Sequence, residues 1–374
     1  MAKTKRLPKL WITLPLLLIL AVGAAFGARF IYNKLREPDF YKPSGEVEHV
    51  SPISRITNSL TPIKPKEPGT KALLPGGKWI AQSFNNCGPA TTSMVLQYFG
   101  HSVNQNETKA KLRTNDDDKN VFTYEMANYM REEYGVESKL FYGGDIALLK
   151  KLIANGFYVV VEDWLHPNED IGHVTIIRGF DDEQGVLIAD DSFIGINITY
   201  PYEEFSETQW KAFNYEYLPV YEPGNEELLK AIVGSSWDEK AMFKKAAAMA
   251  EAEIAQNQND MHAWFNLGTS KYGLQDYTGA QQAFDKSLAL GWPKRMLWYQ
   301  IQPIQTANAL GDYQKALQLA DLALWSNDSF AEAHLEKAIA YKGLGNKQKA
   351  REEVDRALFF APNLQSAQDF LASL

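Results

Sequence analysis

The single cysteine of the 374-residue sequence, Cys87, occupies a position where a thiol could act as a nucleophile. It belongs to the polar segment Asn-Asn-Cys-Gly, which precedes a predicted helix in which Ala90, Met94 and Tyr98 recur at helical spacing and which ends at Gly100. The N-terminus of a helix carries unpaired N–H groups and the positive end of the helix dipole, which favour thiolate over thiol. The alternative is a buried structural cysteine, but the polar surroundings favour the nucleophile.

A histidine that could serve such a thiol as a base is His173, which opens the β-rich run HVTIIRGF. The turn-like DDEQG and a second β-rich run follow, so residues 173–191 are predicted to form a β-hairpin. Counting from the centre of the turn puts Asp191 opposite Thr175 and on the same face as His173. A slip of one residue would bring Asp190 to that face instead. A carboxylate beside the imidazole would orient it and complete a Cys-His-Asp site of the papain type.

The sequence around these residues resembles the bacteriocin-processing-type peptidases. The resemblance rests on Gln82 and on three short motifs, NNCGPA at 85–90, GHVTIIRGFDD at 172–182 and ADDSF at 189–193. It covers about residues 74 to 220. Peptidases of this type are papain-like cysteine peptidases with an α+β fold, and their namesake members cut leader peptides after a double glycine.

The resemblance implies a role for each of four residues: Cys87 as the nucleophile, His173 as the general base, Asp191 as the residue that orients the base, and Gln82 as a donor to the oxyanion. Asp191 is preferred to Asp190 because in similar sequences the aspartate directly precedes a proline or serine, here Ser192. A side-chain amide near the nucleophile can stabilise a developing oxyanion by about 3 kcal/mol.

A hydrophobic segment near the N-terminus predicts a membrane anchor. Basic residues are frequent in residues 1–9, and no charged residue occurs from Leu10 to Ala28. A helix of that length can just cross a hydrocarbon core of about 30 Å. We therefore predict a transmembrane helix over 10–32, with a cleaved signal and a secreted protein as the alternative. The larger positive charge before the segment predicts a single-pass protein of the cell membrane whose remaining domains are extracytoplasmic.

The rest of the sequence divides into three predicted parts. Residues 33–73 are rich in proline and show no sustained hydrophobic period, as expected of an extended linker. Residues 74–223 contain the candidate thiol chemistry and form the predicted peptidase domain. After the Pro-Gly pair at 223 and 224 the composition changes to Ala, Leu, Lys, Glu and Gln with helical period, which predicts a separate helical domain over 224–374.

The helical part repeats itself at intervals of 36 and 34 residues, a period typical of tetratricopeptide repeats. Two sets of residues follow this period: Leu274, Leu310 and Leu344, and Ala280, Ala316 and Ala350. A leading helix is predicted over 238–257. We therefore predict an all-α repeat solenoid whose concave surface binds a protein partner, with a purely supporting scaffold as the alternative.

Composition excludes several classes of function. The formal net charge of −8 has the wrong sign for neutralising phosphates, so nucleic acid is not an expected partner. One cysteine allows neither an intrachain disulfide nor a multi-cysteine metal site. The acidic run at 116–118 lacks the alternating ligands of a calcium loop. We therefore predict that the protein uses neither a metal nor a cofactor.

Together these patterns predict a membrane-anchored, extracytoplasmic cysteine peptidase that acts on a peptide or protein through Cys87, His173 and Asp191. Acyl transfer or amide hydrolysis through the same thioester is an alternative, because the intermediate can react with an amine or with water. A non-enzymatic adaptor in which both regions bind peptide is a second alternative. Nothing in the sequence identifies the substrate or the bond that is cut.

Overall fold

The computed structural model describes residues 38–52 and 64–374. The basic residues 1–9, the predicted membrane segment 10–32 and part of the predicted linker lie outside the described residues. Within the described ranges, no helix is both long enough and apolar enough to cross a bilayer. Residues Phe40–Leu374 form one compact unit.

An eight-stranded sheet is central to the first half of this unit. Its strands are β1 (Glu48–His49), β2 (Lys71–Leu73), β3 (Glu137–Ser138), β4 (Tyr158–Trp164), β5 (Gly172–Asp181), β6 (Val186–Asp191), β7 (Gly195–Pro201) and β8 (Tyr217–Tyr221). The strands pair in the order β1-β2-β5-β4-β8-β3, while β6 pairs with both β5 and β7. The sequence of β4, YVVVEDW, is apolar and β-branched at its start, as expected of a strand that is buried on both faces.

Five α-helices accompany the sheet: α1 (Cys87–Tyr98), α2 (Gln105–Leu112), α3 (Thr123–Tyr134), α4 (Ile146–Ala154) and α5 (Tyr202–Thr208), with a short 3-10 helix at Trp210–Phe213. Helix α1 lies against β5 and against α2 and α3. One face of the sheet and these helices share a core that includes Met94 of α1 and Val160 of β4, both fully buried. This α+β arrangement agrees with the predicted papain-like fold.

The predicted hairpin register is confirmed at the end that carries the candidate chemistry. Strands β5 and β6 pair in antiparallel register with Thr175 opposite Asp191. The register shifts by one residue between Ile177 and Gly179, which leaves Arg178 as the extra residue of a β-bulge. The bulge lies between the turn and Thr175, and it decides the assignment. Without it, the pairing of Phe180 with Leu187 would continue so as to place Asp190, not Asp191, on the face of His173.

The second half of the unit is helical. Its helices are α6 (Glu226–Val233), α7 (Glu239–Gln256), α8 (Met261–Gly273), α9 (Tyr277–Leu290), α10 (Met296–Tyr299), α11 (Gln302–Ala309), α12 (Tyr313–Leu324), α13 (Ala331–Gly343), α14 (Lys347–Phe360) and α15 (Gln365–Ala372), with a 3-10 helix at Gly234–Trp237. Helix α7 corresponds to the predicted leading helix at 238–257.

Three helical hairpins reproduce the predicted repeats: α8 with α9, α11 with α12, and α13 with α14. The second helix of each hairpin begins after a side-chain N-cap that accepts a backbone N–H: Asp276, Asp312 and Asn346. The alanines predicted at close helix crossings, Ala280, Ala316 and Ala350, are fully buried. At Gly268 an added Cβ would lie 2.5 Å from the ring of Phe284, so α8 and α9 approach too closely there for any side chain.

The two halves pack against each other without a break. The predicted boundary at 223 and 224 falls in the connection between β8 and α6, but Leu229 of α6 and Phe243 of α7 belong to the same hydrophobic core as the sheet. The side-chain amides of Asn266 and Gln300 each donate a hydrogen bond of 2.8 Å to backbone carbonyls of the 3-10 helix at Trp210–Phe213. The helical half therefore covers part of the peptidase-like half, including the side that carries the candidate site.

Candidate active site

Helix α1 begins at Cys87, as predicted, and the preceding loop is fixed by two side chains from outside it. Gln105 accepts hydrogen bonds of 2.8 Å from the backbone N–H of Ser83 and from the side-chain amide of Asn86. Its own amide donates to the carbonyl of Ala81. The half-buried thiol of Cys87 thus follows a loop whose conformation is set by the first residue of α2.

Arg113 holds the same loop from its other side. Its guanidinium donates to the carbonyls of Phe84 and Asn85, at 3.3 and 2.5 Å. Asn85 has a φ of 54°, in the left-handed region that asparagine tolerates better than most residues. The N-cap residue Asn86 makes no side-chain hydrogen bond to the first N–H groups of α1, and a helix N-terminus supplies such unpaired donors.

His173 lies at the start of β5 and is 3% exposed. Its Nε2 lies 3.0 Å from Oδ2 of Asp191, although no aligned hydrogen bond joins the two atoms. Burial is the largest influence on the pKa of His173 and lowers it, but the interactions with Asp191 and Cys87 together outweigh burial, so the pKa lies well above 6.5. The arrangement therefore favours an imidazolium ring between a carboxylate and the thiol.

Asp191 ends β6 and is completely buried. Its Oδ1 accepts the backbone N–H groups of Phe193 and Ile194, at 2.6 and 2.8 Å. Burial alone would raise the pKa of this carboxyl, but His173 and the two N–H groups hold it below its usual value. The carboxylate is therefore ionised and fixed in place beside the imidazole.

The neighbouring Asp190 faces the opposite side of β6, as the hairpin register predicts. It forms a buried ion pair with the bulge residue, in which Nε of Arg178 lies 2.8 Å from Oδ2. The hydroxyl of Tyr98 donates to the same oxygen at 2.7 Å, and the backbone N–H of Asn197 donates to Oδ1. Asp190 therefore has a complete set of partners away from His173.

Gln82 lines the same cavity as Cys87 and His173. Its backbone N–H donates to the carbonyl of Ser192, and the Ser192 hydroxyl donates to its side-chain oxygen, both at 2.8 Å. With its oxygen engaged, the amide nitrogen of Gln82 has no hydrogen-bond partner in the described part of the chain. This orientation leaves an N–H donor available to the cavity.

Two residues of β4 that sequence reasoning missed lie close to this site. Asp163 pairs with His173 across the β4–β5 ladder and is fully buried. Burial raises its pKa well above the usual range, although His173 opposes that shift. Glu162 lines the cavity that contains Cys87, and burial, reinforced mainly by Glu216, raises its pKa in the same way. The sequence feature that could have indicated both residues is the pair of adjacent acidic residues in an otherwise apolar strand.

The helical half also contributes a wall of the cavity, and this wall could not be predicted from the sequence. The ring of Tyr299, from α10, packs over the start of β5 so closely that a Cβ on Gly172 would lie 2.6 Å from it. Tyr299 lines the cavity of about 440 Å³ that also holds Cys87 and His173. A substrate bound there would touch both halves of the protein.

No group of three metal-ligating side chains occurs among residues 38–52 and 64–374. In the acidic run at 116–118, Asp116 pairs with Lys109, and Asp118 accepts the backbone N–H of Asn120. These contacts are those of an ordinary surface loop.

Comparisons with known proteins give a family match for the peptidase-like half. Residues 74–218 match the model of the Peptidase_C39 like family, and none of the curated proteins compared matches the chain. A double glycine motif protease from an AMS/PCAT transporter, solved with its leader peptide, is 23% identical over 38% of this chain and 89% of its own, with a TM-score of 0.29. MamA from Desulfovibrio magneticus RS-1 is 21% identical over 35% of this chain and 72% of its own, with a TM-score of 0.32. The predicted resemblance is therefore confirmed by the family match: residues 74–218 form a domain like the C39 peptidases, and helical repeats follow it.

Proposed function

We propose that the protein is a cysteine peptidase that hydrolyses an amide bond of a peptide or protein through Cys87, His173 and Asp191. One observation carries the proposal. A thiol at the start of α1 and an imidazole at the start of β5 line one cavity, and a buried carboxylate at the end of β6 lies 3.0 Å from that imidazole, although the three residues are distant in sequence. A buried ion pair beside a lone thiol has a direct use in nucleophilic catalysis.

In the proposed mechanism the imidazolium of His173 stabilises the thiolate of Cys87, whose sulfur attacks the scissile carbonyl carbon. The amide of Gln82 and the N–H groups at the start of α1 donate to the oxyanion that forms. His173 then gives its proton to the leaving amine as the C–N bond breaks, which leaves a thioester on Cys87. Water, deprotonated by His173, attacks the thioester and releases the acid and the free thiol.

The proposal is tested by product mapping. Full-length protein incubated with a mixed peptide library should generate new termini that mass spectrometry can locate, and the Cys87→Ala variant should generate none. The Cys87→Ser variant should retain bound substrate, because the hydroxyl is the weaker nucleophile. If the unchanged protein binds library peptides and returns them all intact, the adaptor alternative is correct. New amide bonds between added amines and library peptides would instead indicate acyl transfer.

We also propose that the protein is anchored in the cell membrane by residues 10–32, with the peptidase-like and helical halves outside the cytosol. The uncharged run and the larger positive charge before it support this orientation. Protease added to intact cells should then digest the part of the chain beyond about residue 40, where the folded unit begins. Protection of that part until the membrane is permeabilised would place it in the cytosol. Release into the medium would indicate a cleaved signal.

A further inference from the structure

A second cavity, which we name the acidic cavity, adjoins the candidate active site. Its volume is about 460 Å³, and it shares Phe122, Glu162 and Tyr299 with the cavity that contains Cys87. One side is formed by the peptidase-like half, including β4, and the other by helices α11, α13 and α15. The two cavities are therefore neighbours, with Phe122, Glu162 and Tyr299 bordering both.

Four carboxyl groups line the acidic cavity without a basic neighbour. Glu162 and Glu216 come from the peptidase-like half, and Glu332 and Glu336 come from α13. Of the described residues that line this space, none is a lysine, an arginine or a histidine. Glu216 and Glu336 are partly satisfied by neutral donors, since Thr123 donates to the first and Asn308 to the second. No hydrogen bond to the Glu162 carboxyl is seen within the described ranges.

The electrostatics of these carboxyls are those of a site that lacks its counter-ion. Burial is the largest cause of the pKa shift of each carboxyl. It raises the pKa of Glu216 to about 7, and it raises the pKa values of Glu162 and Glu332 well above their usual range. Repulsion by Glu216 raises the pKa of Glu162 further, and repulsion by Glu125 raises the pKa of Glu332 further. An uncompensated buried carboxylate is costly, and a bound cation would remove that cost.

Two further polar atoms of the acidic cavity could bind a cationic group. The hydroxyl of Thr269, on α8, lines the acidic cavity and is 3% exposed, and the side-chain oxygen of Gln302 is also buried there. Neither atom has a hydrogen-bond partner in the described part of the chain. Both can accept hydrogen bonds, which an ammonium or guanidinium group would supply. The rings of Tyr124 and Phe370 add an apolar surface suited to the aliphatic part of such a side chain.

We propose that the acidic cavity binds a lysine or arginine side chain of the peptide substrate, close to the bond that Cys87 attacks. This inference rests on the proposed function, because it assigns the cavity to the same substrate. In this proposal both halves of the protein form the site that selects the substrate. Glu162 lies on the side of the thiol, and Glu332 lies on the side of the helical repeats.

The test uses dipeptidyl chloromethyl ketones, which alkylate Cys87 and carry lysine at the first or the second position before the ketone. Each lysine probe has a counterpart with norleucine, which has a similar chain and no charge. Since Cys87 is the only cysteine, the increase with time in the intact mass of the full-length protein measures the rate at which each probe alkylates it. We expect the lysine probe to react at least about 10-fold faster than its norleucine counterpart at one of the two positions, as one desolvated ion pair allows.

Glu162→Gln and Glu332→Gln should each reduce the ratio of lysine to norleucine rates at least about 3-fold, because each removes part of the charge that the ammonium meets. Glu352→Gln, on an exposed part of α14, is the matched control and should leave the ratio unchanged.

The outcomes separate this inference from the proposed function. A ratio near one at both positions, with rapid alkylation of Cys87 by iodoacetamide, would overturn the acidic cavity as a cation site and leave the thiol peptidase intact. A lysine preference that survives both substitutions would also overturn it, because the selectivity would then arise elsewhere. Slow alkylation by iodoacetamide would overturn the proposed function and this inference with it.

Discussion

Replacing His173 with alanine is expected to abolish peptide turnover. It should also slow the alkylation of Cys87 by iodoacetamide at neutral pH by about 100-fold or more, which is the lower end of the range for the loss of an acid–base group. Burial lowers the pKa of His173, but the interactions with Asp191 and Cys87 together raise it by more, which favours the protonated ring. Alanine removes the cation that stabilises the thiolate and the acid that protonates the leaving amine. The mass gained by the intact protein measures the alkylation, because the chain has a single thiol.

The matched control is His49→Ala. His49 is exposed on the short strand β1, so its loss should change neither turnover nor alkylation. Circular dichroism of the His173→Ala variant should match that of the unchanged protein, since β5 is held by ladders with β4 and β6 on its two sides. Equal alkylation rates for the two histidine variants would remove His173 from the site and leave Cys87 as an ordinary thiol.

The choice between Asp190 and Asp191 illustrates what a sequence can predict about this site. Side chains alternate along a strand, so the position of the turn alone puts one carboxylate on the face of His173 and the other on the opposite face. Next to the turn, however, Phe180 pairs with Leu187, one residue out of step with the pairing of Thr175 and Asp191, and the bulge at Arg178 absorbs the difference. The assignment of Asp191 therefore depends on a bulge that no feature of the sequence indicates, because without it the observed turn would place Asp190 on the face of His173.

The parts of the site that were missed depend on contacts between distant segments. Tyr299 follows the predicted domain boundary, and nothing in the helical period indicates that its ring packs on Gly172. The roles of Gln105 and Arg113 in fixing the loop before Cys87 are likewise visible only when α2 is seen beside it. Periodicity predicts helices and strands, whereas the neighbours of an individual side chain depend on how those elements pack.

The continuous core across the predicted boundary was missed for the same reason, because it too depends on contacts between distant segments. The change in composition after Gly224 is real, because helical hairpins replace the sheet from α6 onwards. Composition does not reveal, however, that α6 and α7 bury apolar side chains against that sheet. The helical half therefore acts on the candidate site in two ways: it supplies Tyr299 and it closes the acidic cavity.

The second large effect is expected from Asp191→Asn, which should lower turnover by about 10³- to 10⁴-fold, as in catalytic triads that lose the carboxylate but keep their geometry. Asparagine can still accept the backbone N–H groups of Phe193 and Ile194, so the loop should keep its shape. It cannot stabilise the imidazolium of His173. Because Asp191 raises the pKa of that ring, its removal should move the alkaline limit of the remaining activity to lower pH.

Asp190→Asn is the matched substitution on the opposite face of β6, and its expected effects are reversed. It leaves the guanidinium of Arg178 buried without its carboxylate, which should lower the free energy of unfolding by about 3 to 5 kcal/mol. Turnover by the folded fraction should fall much less than in Asp191→Asn, because Asp190 does not contact His173. Chemical denaturation and turnover per folded molecule, measured on both variants, separate the two roles. If Asp190→Asn lowered turnover per folded molecule more than Asp191→Asn did, the carboxylate that serves His173 would be Asp190, and the hairpin register at the site would be wrong by one residue.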